Sequence, residues 1–85
     1  MVWDYKSQLQ EYCQARKNRV NYRLKRAIKS GHQQLFIMEV NDELRTFQEI
    51  GKGRSKKEGE QEAAAKVINK LGIGEKEREQ KVPQN

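Results

Sequence analysis

Hydrophobic positions recur along this chain with two different periods, and the switches between them mark its elements. From Asp4 to about Arg16, Tyr5, Leu9 and Tyr12 repeat at helical spacing and form one narrow apolar stripe. Ser7, Gln10, Glu11 and Gln14 repeat at i, i+3, i+4 and i+7 on the opposite side, so the helix carries a separate polar face. Between about Val20 and Ile28 the period falls to two, Tyr22 and Leu24 alternating with Arg23 and Lys25, which predicts a half-buried strand. Lys29 to Gln34, with Ser30 and Gly31, reads as a turn. Leu35 to Val40 predicts a second strand with Phe36, Met38 and Val40 on one face. Asn41, Asp42 and Glu43 make a short hairpin connection, and Leu44 to Ile50 returns as a third strand.

Gly51 and Gly53 break that strand, and Ser55 starts a second helix with Glu58 three residues later, a capping-box pattern. Ala63, Ala64, Val67, Ile68 and Leu71 supply its apolar face, Glu62 stands four residues before Lys66 in the orientation of a surface ion pair, and Gly72 ends it. Glycine inside a helix costs about 0.5–1 kcal/mol against alanine, so Gly59→Ala is expected to stabilise the fold. Residues 72–85 are polar and of mixed charge, and a disordered tail is expected there. The predicted architecture is α+β, α-β-β-β-α: a three-stranded antiparallel sheet with two helices packed on one face, in a single domain over 4–71.

Composition sharpens this. Of 85 residues, 34% are hydrophobic and 35% charged, so a compact core must carry a very polar surface. The net charge of +6 favours a polyanionic partner. Arg16, Lys17, Arg19, Arg23, Lys25, Arg26 and Lys29 follow one another without an acidic residue, a stretch suited to long-range steering. Cys13 is the single cysteine and His32 the single histidine, which excludes an internal disulfide and a zinc ligand set. No apolar run approaches the roughly 20 residues that span a bilayer, so a soluble, cytoplasmic protein with no membrane partner is expected.

The densest chemistry lies in Gly51-Lys52-Gly53-Arg54-Ser55-Lys56-Lys57-Glu58. Two glycines turn the backbone into a helix whose first N–H groups are unpaired and partly positive, and Arg54, Lys56 and Lys57 add cations at the same point. Such an end suits phosphate. It is not a nucleotide-binding P-loop, because the Gly-x4-Gly-Lys-Ser/Thr spacing is absent.

With this stretch opening the last helix of an α-β-β-β-α order, the chain resembles a double-stranded-RNA-binding domain. More narrowly it is similar to the C-terminal RNA-binding domain of bacterial-type ribonuclease III, in Asp4-Tyr5-Lys6-Ser7-Gln8-Leu9-Gln10-Glu11-Tyr12 and again in Gly53-Arg54-Ser55-Lys56-Lys57-Glu58-Gly59-Glu60-Gln61-Glu62-Ala63-Ala64-Ala65. The resemblance covers about Asp4 to Leu71. It departs from the family at Gly59, where alanine is usual, and ahead of His32, where Gly-Pro is common and this chain has Lys29 and Ser30 before Gly31.

The resemblance implies three contacts with one face of an A-form helix. Ser7, Gln10, Glu11 and Gln14 would meet one minor groove, His32 the next, and Arg54, Lys56 and Lys57 the phosphates of the major groove between them. It also implies a binding domain that is not itself an enzyme, with no catalytic residue and no cofactor or metal of its own. Mg²⁺ is expected only for an attached nuclease domain. The partners implied are double-stranded RNA and a ribonuclease III catalytic domain in a parent protein. A free-standing protein that sequesters or chaperones RNA, and a protein–protein adaptor of the same fold, remain open as alternatives.

Overall fold

A computed structural model describes residues 4–74. The elements run α1 (Tyr5–Ala15), β1 (Val20–Ser30), β2 (Gln33–Asp42), β3 (Gln48–Gly53) and α2 (Lys56–Leu71). The expected tail from residue 75 onward lies outside the described residues.

Asp4 caps α1, its carboxylate accepting the Ser7 N–H at 3.2 Å, and the chain leaves the helix through Lys17 in a left-handed conformation at φ 55°. Leu9 and Cys13 on the buried stripe are fully covered. The strands form an antiparallel sheet in the order β1-β2-β3. Both helices lie on one side of it, where Val40 of β2 joins Leu9 and Cys13 of α1 and Ala63, Ala64, Val67 and Ile68 of α2 in one core.

Strand pairing runs further into the first hairpin than its composition suggests. Ser30 pairs with Gln33, so the turn expected over 29–34 shrinks to Gly31 and His32, with Gly31 at φ 61°. A two-residue hairpin needs a left-handed residue there, and glycine adopts it without a Cβ clash. Residues 33–35 of β2 continue past the end of β3, whose Gly53 pairs with Phe36. The hairpin tip therefore overhangs the sheet by about 10 Å.

The third strand begins at Gln48 rather than at Leu44. Asp42, 4% exposed, accepts the N–H groups of Thr46 at 2.8 Å and Phe47 at 3.0 Å, and the Asn18 amide at 2.8 Å. Folding residues 43–46 around this carboxylate takes them out of the ladder, with Arg45 at φ 59° and Leu44 58% exposed. Burial pushes the Asp42 carboxyl upward, but hydrogen bonds from Thr46, Asn18 and the Phe47 N–H outweigh it and hold it below its usual range.

Gly51 and Gly53 do not interrupt β3; they are part of it. A Cβ on Gly51 would stand 2.1 Å from the carbonyl oxygen of Gly59, so glycine is required for α2 to lie directly on the strand. The Glu62–Lys66 pair gives way to the sheet. Glu62 accepts the Lys52 N–H at 2.6 Å, and the Lys66 ammonium donates to the Ile50 carbonyl at 2.7 Å. These side chains occupy backbone groups on the outer edge of β3 that a foreign strand would otherwise use. Gly72, at φ 68°, closes α2, and Ile73 packs against the core.

Candidate nucleic-acid interface

The polar face of α1 is open: Ser7, Gln10, Glu11 and Gln14 are all exposed. Its placement depends on Gln61 of α2. The Gln61 side-chain oxygen accepts the N–H groups of Tyr5 at 2.9 Å and Lys6 at 3.2 Å, while its amide donates to Asp4 at 2.8 Å. One side chain thus ties the first turn of α1 and its cap to the second helix. The Gln61 hydrogen bond, with those from Ser7, holds the Asp4 carboxyl down at about 2. Lys6 adds an ion pair with Glu60 and lies 5.2 Å from the centre of the Tyr22 ring. Burial, with the Glu60 charge nearby, pushes the Tyr22 phenol up, and its hydroxyl has no partner among the described residues.

This arrangement makes a groove between the helices. Ser7, Gln10 and Glu11 form one wall, Lys57 and Gln61 the other, and Tyr22 contributes to the floor. Gln14 lies further along α1, where it and Gln10 border a second depression with Lys17, Asn18 and Arg19.

At the start of α2, Ser55 Oγ accepts the Glu58 N–H at 3.1 Å. The Glu58 carboxylate reaches back to the Arg54 N–H at 2.8 Å, one residue earlier than in a capping box. The N–H groups of Lys56 and Lys57, at the first two helical positions, have no intrahelical acceptor by position. Arg54, Lys56 and Lys57 are exposed around them, so side-chain cations and the positive end of the helix dipole coincide.

His32 is exposed at the overhanging hairpin tip, apart from the groove. Sequence reasoning thus singled out three exposed groups, of which the groove joins Ser7, Gln10 and Glu11 directly to Lys57. It missed Gln61, and it assigned Lys17 and Arg19 to long-range steering without placing them beside Gln10 and Gln14. The available signal for Gln61 was its position four residues after Lys57, on the same face of α2. Hydroxyl, amide and carboxylate groups beside exposed cations suit a ligand carrying both sugar hydroxyls and phosphates. Among the described residues, no group of three histidine, cysteine, aspartate or glutamate side chains is placed to hold a metal ion, and no helix is long and apolar enough to cross a membrane.

The family model of the double-stranded RNA binding motif matches residues 5–71. The chain is 42% identical over 69 residues to ribonuclease 3 of Aquifex aeolicus, covering 80% of this chain and 30% of that protein. It is 50% identical over 69 residues to ribonuclease 3 of Dehalococcoides mccartyi, covering 80% of this chain and 29% of that protein. The chain therefore spans about a third or less of the length of these relatives.

Proposed function

The chain belongs to the double-stranded-RNA-binding motif family, a family of RNA-binding rather than catalytic domains, and on that footing we propose that it grips duplex RNA by shape, as the RNA-binding domain of a ribonuclease III. The observation that carries the reading is the groove joining Ser7, Gln10 and Glu11 to Lys57. Ser7, Gln10 and Gln14 offer both donors and acceptors and Glu11 an acceptor, as 2′-hydroxyls and minor-groove base edges require. Arg54, Lys56 and Lys57 supply point charges for the phosphates across the major groove. His32, carried beyond β3 on the hairpin, reaches for the next minor groove.

Binding of this kind reads the spacing of grooves, not base order, so a duplex of roughly 16 base pairs suffices. In a longer parent protein, a catalytic domain elsewhere would cut the RNA and this domain would hold it; Mg²⁺ would belong to that other domain. The test is a titration with such a duplex followed by backbone NMR. Amide shifts should move together at Gln10, His32 and Lys57. Incubation of the chain with long duplex RNA and Mg²⁺ should leave the RNA intact on a denaturing gel. Shifts confined to one of the three regions, or metal-dependent products that vanish when a residue of this chain is replaced, would contradict the reading.

A further inference from the structure

The sheet has a second face, turned away from both helices, and its charge is one-sided. Strand register places Arg23 beside Glu39, Glu39 beside Ile50, and Ile37 between Arg26 and Lys52. The pairing slips between Leu24 and Arg26, leaving Lys25 as an extra residue in β1. A bulge of this kind bends the strand and re-aims its side chains. Lys25 lines one depression with Arg23, Arg45, Asn41 and Gln48, and Asp42 and Phe47 line it too.

Of the two carboxylates that line this depression, Asp42 is occupied by Thr46, Phe47 and Asn18, and Glu39 is 2% exposed. Glu39 accepts from Arg23 Nε at 2.9 Å and from the Gln48 amide, so it neutralises Arg23 and offers nothing to solvent. Lys25, Arg26, Arg45 and Lys52 are exposed, and none has a carboxylate partner among the described residues. The rings nearest the sheet are engaged elsewhere. Tyr22 and Phe47 pack on the core, and Phe36 lies in the same alternation as Met38 and Val40, on the helix side. Phe47 is the one ring that lines this depression, and it is half-buried against the core, so among the described residues the face lacks the row of open rings on which unpaired bases stack. Cations over an aliphatic floor of Ile37 and Ile50 suit regularly spaced phosphates. A second copy of the chain is a poor occupant, because the open edge at β1 would set Arg23, Lys25 and Arg26 against like charges.

We propose that this outer sheet face is a second phosphate-binding surface, so that one copy of the domain holds a second RNA duplex while α1 and α2 hold the first. The proposal rests on the reading that the helix side binds duplex RNA.

The experiment immobilises one duplex of about 20 base pairs, saturates it with the chain, and measures capture of a second, fluorescent duplex of the same length. The wild-type chain should capture it. Lys25→Glu combined with Arg26→Glu should reduce capture at least about tenfold more than it reduces first-duplex affinity, since long-range attraction is weakened for both duplexes but contacts are lost only on the outer face. Lys25→Gln with Arg26→Gln, a milder pair at the same exposed positions, should reduce capture in the same direction with an unchanged melting curve. Capture that survives both pairs overturns the proposal. So does capture that tracks dimerisation of the chain in sedimentation, or an outer face that loads a poly-glutamate peptide and no second duplex. Failure of the chain to bind the first duplex appears at the saturation step and overturns the underlying reading, separately from the capture result.

Discussion

A Cβ on Gly59 would stand 2.7 Å from Cγ of Met38, a residue only 3% exposed beneath the first turns of α2. The same Cβ would be 3.3 Å from the Gly51 carbonyl oxygen. Helix propensity alone favours Gly59→Ala by about 0.5–1 kcal/mol, but overpacking a filled core costs about 1–3 kcal/mol. The second effect is larger, and the sequence-based expectation of stabilisation reverses. Gly59→Ala should lower stability by about 1 kcal/mol, read as a lower denaturation midpoint in urea. A raised midpoint would show that Met38 yields without cost.

Gln61 bridges parts of the chain far apart in sequence, and its removal should be felt at both ends. Gln61→Ala takes the acceptor from the N–H groups of Tyr5 and Lys6 and should cost about 1 kcal/mol. The Asp4 carboxyl should rise from about 2 toward 3.8, measured by carbon-detected NMR titration. An unchanged Asp4 titration would mean that Ser7 alone holds it down.

Three carboxylates, Asp4, Glu39 and Asp42, are held below their usual range in the folded chain. A depressed folded pKa contributes stability above the unfolded pKa, and that contribution is lost as pH falls through the folded value. The melting temperature should therefore hold steady from about pH 7 to about pH 5 and fall below about pH 4. Asp42→Asn should cost about 1–3 kcal/mol at neutral pH, since an amide cannot accept from Thr46, Phe47 and Asn18 as the carboxylate does. Its acid transition should be shallower than that of the wild-type chain.

Phosphate and groove contacts separate by their salt dependence. Lys56→Ala with Lys57→Ala should weaken binding to every duplex and reduce the slope of log affinity against log salt by about 1–2, since two cations release fewer counterions. Gln10→Ala with Gln14→Ala should weaken binding at nearly constant slope. An unchanged affinity for the lysine pair would remove α2 from the interface.

Periodicity along the chain was enough to place both helices and the face of β2 that meets the core, and the capping-box pattern placed the cap at Ser55. The exposed groups at Gln10, His32 and Lys57 were legible because polar residues at helical spacing, a glycine turn and lysines at a helix start are local signals. What escaped was set by partners distant in sequence. Gly51 is glycine because of Gly59 across the layer, and Gln61 matters because of Tyr5 and Lys6. Leu44 leaves the third strand because Asp42 gathers the N–H groups behind it. Local alternation carries none of these.

The central claim is that the chain recognises the shape and 2′-hydroxyls of duplex RNA. Its most direct test is a titration of matched RNA, DNA and hybrid duplexes of about 20 base pairs at one fixed salt concentration. The chain should bind RNA most tightly, the hybrid more weakly, and DNA only at the level of sequence-independent charge attraction. Equal affinity for RNA and DNA would contradict the claim, because phosphates alone would then explain everything the chain does.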